Sequence, residues 1–554
     1  MSEQVGWVAT RPAAVYAGLH LPDGEPRANG VLLVPPFGWE GLSAGRNLRA
    51  WARALAAAGH PALRFQLPGA GDSAGLGAEQ DLTSWSAAVT DLAGVLREAT
   101  GCATVTAIGL GLGGLAVLQA VSDGAEVDDL VLWATPGRGR LVLRELRAFA
   151  ATSPDAGQAP EEDGTLWVQG YPLGPGAQQQ LAGFDASELD LTRVRRALLL
   201  GRGSLPVERS LVEALTTGEA DVTTAPGPGY DEVTVEPRLS QLPVATARTV
   251  GAWLRSDPGD ASRMASTPVL VGEHDGEAHL VLGDVDGILT RADDARLTAV
   301  FLGAGAIDRS GPSRLWTEAA RRWARWGIAS LRLDLYGIGE APGPDASPHG
   351  PEGYYAERYR REIKDVLAAV PSLGLPDRFL LLGMCSGGFW SAQLALENPG
   401  VVSVVALNAV SLVWPPALLS AGSRGFLLSP ATWSRFTRDA GLRREAFARV
   451  KRSLQLAVAR VRRDRRVPLR SHEVAETLHA AGTSVLLGAS PGEVILEQLA
   501  LLGPGTQGVV RRLDGPEGAH TLSTAGLRAQ AEALIDEGAR AGLAAVQETS
   551  ATTG

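Results

Sequence analysis

Cys385 stands in the run Gly383-Met384-Cys385-Ser386-Gly387-Gly388. Gly-x-nucleophile-x-Gly is the spacing of a nucleophile elbow, a tight strand-to-helix turn that lifts one side chain above a parallel sheet. A thiol held there suits acyl transfer, because its thiolate attacks carbonyl carbon and forms a covalent intermediate. The spacing recurs at Gly109-Leu110-Gly111-Leu112-Gly113-Gly114, where the central residue has no side chain. One copy is equipped for chemistry and the other is inert.

A thiol nucleophile needs an oxyanion hole and a base. The backbone N–H of Ser386, next after the nucleophile, supplies one oxyanion donor. A second is expected from Gly303-Ala304-Gly305-Ala306, after the apolar run Val300–Leu302, with Gly305 and Ala306 as the candidates. Three histidines follow Cys385. His472 and His479 lie in a helical pattern and read as cap or surface residues. His520 follows the strand-like Gly508–Leu513 and precedes a terminal helix from about Thr524, where this chemistry places its base. The acid should follow Ser484–Leu487, yet the loop reads Gly488-Ala489-Ser490-Pro491-Gly492-Glu493, without aspartate. Glu493 is the nearest carboxylate; Glu497, Asp514 and Glu517 are alternatives. A thiol ionises more readily than a hydroxyl, so a Cys–His dyad could work without an orienting acid. The competing reading of any lone cysteine is a small buried hydrophobe, and Cys102, ahead of its strand, reads that way. Ser386 becomes the nucleophile only if the elbow register moves by one.

The first half fails the same test repeatedly. Gly111 offers no nucleophile, Ala197–Leu200 leads into Gly201-Arg202-Gly203-Ser204 without aspartate, and Gly229–Leu242 holds no histidine. The Gly109–Gly114 run lacks the glycine spacing and the downstream acid of a dinucleotide fingerprint, so no cofactor is expected.

Both elbows need a strand behind and a helix ahead, and the chain supplies these in alternation. Val31–Val34, Ala62–Leu67, Thr104–Ile108 and Val127–Ala134 read as strands. Arg46–Ala58, Leu82–Glu98 and Leu112–Ser122 read as helices. The second half repeats the order with strands Thr298–Leu302, Ala329–Leu333, Phe379–Leu382 and Val401–Asn408, and helices Trp316–Trp326, Tyr355–Val370 and Gly388–Glu397. Under a shift of 268 positions Gly59 falls on Gly327, Gly45-Arg46 on Ser313-Arg314, and Gly69-Ala70-Gly71-Asp72 on Gly337-Ile338-Gly339-Glu340. The elbows are offset by 274, six more. A period this long means duplicated domains, each a mostly parallel, doubly wound α/β sheet. The expected domains are 1–260, inert, with a helical cap at about 137–191, and 267–547, active, with a cap at about 411–476. They join near Ser256–Thr267. The tail 548–554 is expected to be disordered.

The net charge of −10 argues against general nucleic-acid binding. No apolar run approaches a membrane span, the start lacks the pattern of a signal peptide, and two cysteines make no disulfide framework. A cytoplasmic protein is expected. Its bases are nearly all arginine, with Lys364 and Lys451 the only lysines, as in a GC-rich bacterial genome. Arginines cluster between Arg443 and Arg470, a candidate dock for an acidic partner.

At these residues the chain resembles the α/β-hydrolase superfamily, within it the serine-aminopeptidase-like group, and is similar to exosortase-A-system-associated hydrolases. Val34-Pro35-Pro36-Phe37, Arg46 and Leu67-Pro68-Gly69-Ala70-Gly71-Asp72-Ser73 carry the likeness in the first half. Gly311-Pro312-Ser313-Arg314 and Gly383–Gly387 carry it in the second. The resemblance implies Cys385 as nucleophile and His520 as base. It also marks a departure, since Ser490-Pro491-Gly492 falls where such relatives show Asp-Pro-Gly. The expected activity is acyl transfer, hydrolytic or not, on a small-molecule or carrier-bound ester, thioester or amide. The alternatives are a non-catalytic scaffold and a non-hydrolytic cyclase or epimerase.

Overall fold

The computed structural model describes residues 2–152, 163–255, 270–344, 351–413, 471–493, 495–496, 509–516 and 519–553. The chain forms two compact units. One holds Met1–Val281 together with Ala306–Glu318 and Ser523–Ala525; the other holds Leu282–Gly305, Ala319–Leu522 and Gly526–Gly554. The division falls at 281/282, later than the junction expected from the sequence, which lies outside the described residues.

The first unit is built on an eight-stranded sheet. Its strands are β1 (Ser2–Val8), β2 (Val15–Leu21), β3 (Asn29–Val34), β4 (Ala62–Phe65), β5 (Thr104–Leu110), β6 (Asp129–Trp133), β9 (Arg196–Leu200) and β10 (Asp221–Ala225). The short antiparallel pair β7 (Leu166–Val168) and β8 (Tyr171–Leu173) stands apart from it. Strand order is β1-β2-β4-β3-β5-β6-β9-β10. β1 and β2 are antiparallel, as are β2 and β4; every later pair is parallel. The central strands β3, β5 and β6 are buried almost throughout and mostly apolar, because helices cover both faces of a parallel sheet. Helices α1 (Gly38–Ala57), α2 (Leu82–Thr100) and α3 (Leu112–Ser122) follow β3, β4 and β5. α2 starts at a capping box between Asp81 and Ser84 and stops at Gly101, whose φ of 66° ends the helix. Between β6 and β9 lie α4 (Gly139–Thr152), the β7–β8 hairpin and α5 (Pro175–Gly183), an insertion over the strand ends within 137–191. Further on come α6 (Arg209–Thr217), α7 (Tyr230–Thr234) and α8 (Val244–Arg255). The hairpin β11 (Glu273–His274) and β12 (Glu277–Leu282) follows.

The second unit repeats the plan. Its strands are β13 (Val285–Thr290), β14 (Leu297–Leu302), β15 (Ile328–Asp334), β16 (Phe379–Met384), β17 (Val401–Leu407), β18 (Ser484–Ala489) and β19 (Val510–Arg512). They are ordered β13-β15-β14-β16-β17-β18-β19. β13 runs antiparallel to β15 and the rest are parallel. β14 leads to α9 (Leu315–Ala324), β15 to α10 (Glu357–Ala369) and β16 to α11 (Ser386–Ala395); α12 (Ser471–Ala480) precedes β18, and α13 (Ala525–Thr553) closes the chain. From β2 and from β13 onward the two sheets have the same order. With an elbow after the corresponding strand in each, this is the α/β-hydrolase fold, present twice.

Local geometry supports the duplication at one block and departs at another. Gly69 and Gly71 have φ of 75° and 52°; Gly337 and Gly339 have 78° and 49°. Gly45-Arg46, by contrast, lies inside α1, whereas Ser313 and Arg314 form a turn ahead of α9 with φ of 50° and 66°. Their superposition in sequence is not one of conformation. The tail expected to be disordered is helical through Thr553, because no proline or glycine interrupts α13 after Gly542. The cap expected at about 411–476 and the arginine cluster lie largely outside the described residues.

Candidate active site

The elbow turns sharply because its flanking residues are small. A Cβ on Gly383 would meet the Gly387 carbonyl carbon at 2.4 Å, and one on Gly387 would meet the Leu302 carbonyl oxygen at 2.5 Å. β16 and α11 can therefore cross closely, with Cys385 at the apex. Its φ of 54° and ψ of −114° are strained for a residue with a side chain, as an elbow nucleophile requires. Gly111 has the same backbone, φ 51° and ψ −120°. Cys385 donates its N–H to Leu407 O and Gly111 donates to Trp133 O, both at 2.9 Å. The turns match, and only the side chain differs.

His520 comes to Cys385 from the loop after β19. The two side chains are hydrogen-bonded. On its other side, Nδ1 of His520 lies 2.7 Å from Oε1 of Glu493, whose side chain is 11% exposed. With Nδ1 engaged, Nε2 is the nitrogen left for the sulfur. Burial works against a charged ring here, but the hydrogen bonds and charges of Cys385 and Glu493 outweigh it and raise His520 to about 10. Glu493 thus contacts the ring, while Ser490, three residues earlier, has no carboxylate.

Two contributors were not singled out from sequence. Asn408, buried at the end of β17, donates from Nδ2 to Ser490 Oγ at 3.0 Å and to the His520 carbonyl at 2.7 Å. Its Oδ1 accepts from the Ser490 N–H at 2.8 Å. One amide thereby joins the acid-bearing loop to the histidine-bearing loop. The last residue of the apolar run Val401–Asn408 carried no other signal. Tyr355, buried just before α10, donates its hydroxyl to Cys385; burial, then the sulfur's charge and hydrogen bond, push that hydroxyl far up. Nothing in the Tyr354-Tyr355 pair pointed to it.

The oxyanion candidates are arranged differently from expectation. Ser386 begins α11, so its N–H has no partner within the helix. Gly305 N–H donates to the Ser386 hydroxyl at 3.1 Å and is therefore engaged in this state. Ala306 is half-buried and belongs to the first unit. His472 and His479 lie on α12, His479 exposed. Asp514 takes its N–H to Gln530, and Glu497 and Glu517 lie outside the described residues. Cys102 is buried in the first core.

The first unit differs from this arrangement at Gly111, Ala134 and Tyr230. Ala134 matches Asn408: both have positive φ, 54° and 45°, and each donates its N–H to the next strand, at Leu200 O and Gly488 O. Alanine has no amide to join the loops. After β10, where a histidine would stand, is Tyr230. A Cβ on Gly111 would lie 2.2 Å from its hydroxyl.

No protein-family model matches the chain, and no curated protein matches it. Among solved structures it is similar to a highly thermostable carboxyl esterase from Bacillus coagulans, at 13% identity and TM-score 0.34, covering 46% of this chain and 99% of that one. Est1E from Butyrivibrio proteoclasticus with ferulic acid bound matches at 14% identity and TM-score 0.34, covering 45% and 98%. An α/β serine hydrolase without lid from Xanthomonas campestris matches at 15% identity and TM-score 0.29, covering 48% and 98%. Each spans nearly its own whole length and about half of this one. Among the described residues no helix is long and apolar enough to cross a membrane, and no group of three or more His, Cys, Asp or Glu could hold a metal ion.

Proposed function

We propose that this protein is a cysteine-dependent acyl-transfer enzyme that works through an acyl-Cys385 intermediate in its second unit. The observation that carries the reading is the chain of contacts Cys385–His520–Glu493 at an elbow apex. The thiolate attacks the acyl carbon of an ester, thioester or amide and the C–S bond forms. The tetrahedral oxyanion takes the Ser386 N–H, joined by the Gly305 N–H once the Ser386 hydroxyl turns aside. His520, held protonated, gives its proton to the leaving group as the scissile bond breaks. The neutral ring then takes a proton from water or from an acceptor nucleophile, which attacks the thioester and frees Cys385. Tyr355 and the imidazolium both donate toward the sulfur. A carrier-bound thioester is an attractive donor because thiol–thioester exchange is nearly balanced, and the Arg443–Arg470 stretch would suit an acidic carrier.

The test is intact-mass analysis after reaction with p-nitrophenyl acetate and with an acyl thioester. An acyl adduct mapping to Cys385, lost in folded Cys385→Ala, supports the reading. A folded wild-type protein that never acquires the adduct overturns it.

A further inference from the structure

The first unit keeps a cavity above its inert elbow. Its volume is about 680 Å³, within the range of sites for small organic molecules. Phe37, Trp39, Leu112, Val142, Leu146 and Phe149 supply an apolar lining, and Phe149 is left 46% exposed. Gly111 forms part of the floor. There the Tyr230 hydroxyl donates to Glu40 Oε2 at 2.9 Å, and Glu40 Oε2 lies 3.5 Å from where a Gly111 Cβ would be. The loss of the nucleophile thus left a polar pair at the base of an apolar cavity. Towards the mouth Arg202 lies over the Tyr230 ring at 5.2 Å, paired with Asp231 at 2.9 Å and with Glu145 at 3.8 Å. Glu236 is a further acid in the lining. Glu236 is itself paired with Arg238 at 2.6 Å, so Glu40, Asp231 and Glu145 share one guanidinium that is already committed to two of them.

We infer that this cavity is a non-catalytic binding site for a neutral, largely apolar small molecule whose buried end carries a carbonyl or hydroxyl oxygen. The lining and volume set the apolar body. The Tyr230–Glu40 pair sets the polar end, since both groups can exchange a hydrogen bond with such an oxygen. The surplus of acids disfavours a carboxylate ligand. Burial raises Glu40 above the ordinary carboxyl range, with the Tyr230 hydrogen bond and Arg202 opposing, which inclines it towards donating to such an oxygen. The site does not depend on Cys385.

The experiment uses the full-length chain and Nile red, a neutral dye that brightens in apolar surroundings. Saturable binding is expected, unchanged in Cys385→Ala. Val142→Trp and Leu146→Trp fill the cavity from half-buried positions of α4, and each should weaken the dye by about tenfold or more. Methyl decanoate should displace it and decanoate should not, at pH 8. Three results would each overturn the inference: no saturable binding, binding that survives both tryptophans in folded protein, or decanoate competing as well as its ester. Dye lost in Cys385→Ala alone would place binding at the other elbow and also overturn it. Because Cys385→Ala removes the proposed catalysis and spares this site, the two readings fail separately.

Discussion

Glu493→Gln probes the least expected part of the site. The wild-type contact is 2.7 Å, short and charge-assisted, from a carboxylate that is 11% exposed. Hydrogen bonds to charged groups contribute about 1.5–3 kcal/mol, which corresponds to about 10- to 150-fold in rate if the bond is felt fully in the transition state. Glutamine keeps an acceptor for Nδ1–H and loses only the charge, so the lower part of that range applies, about 10- to 30-fold in acylation kcat/KM. Glu493→Ala removes acceptor and charge together and should approach the upper end. The pH profile gives an independent readout. The raised value of about 10 means that the ring stays protonated up to that pH and loses its proton above it, so acid assistance to the leaving group fades there. Without the carboxylate this alkaline limb moves down towards the ordinary 6.5. The assay is stopped-flow acylation by p-nitrophenyl acetate from pH 5 to 10.5, with circular dichroism to verify folding. A folded Glu493→Gln protein with wild-type rate and an unmoved limb would refute the orienting role and leave a bare dyad.

The remaining predictions concern the scaffold. Asn408→Ala leaves Ser490 N–H and the His520 carbonyl without their partner; it should cost about 1–3 kcal/mol in urea unfolding and lower acylation more than simple alkylation by iodoacetamide. Gly111→Cys should give no acyl adduct at that position by peptide mapping, since no histidine lines the cavity there to act as base. It should also destabilise by about 1–3 kcal/mol, because φ is 51° and the new Cβ meets Tyr230 Oη. Asp72→Asn breaks an ion pair to Arg309 whose side chains are 2% and 1% exposed, and should cost about 3–5 kcal/mol in the same melt.

The second elbow and its register were readable because they rest on local chemistry: a glycine frame, an apolar strand before it and a helix after it. The repeat was readable for the same reason at Gly69–Gly71 and Gly337–Gly339, where backbone conformation is dictated locally. It misled at Gly45-Arg46, where identity of spacing met a helix in one copy and a turn in the other. Strands β1 and β2 were not anticipated, as the pairing of β2 with β4, which carries β1 at the edge, is a long-range choice with little periodic signature.

The sequence alone determined that the chain is a duplicated α/β structure with a thiol at one elbow and nothing at the other, because those features follow from residue type and short spacing. Tertiary structure decided which carboxylate meets His520. Glu493 precedes the ring by 27 residues and reaches it because two strand ends deliver their loops to the same place. It also decided that Asn408 links those loops and that Tyr355 turns towards the sulfur. In the first unit it decided that a tyrosine fills the space a nucleophile would have used. Contacts of this kind depend on where separate strands end, and no local pattern encodes them.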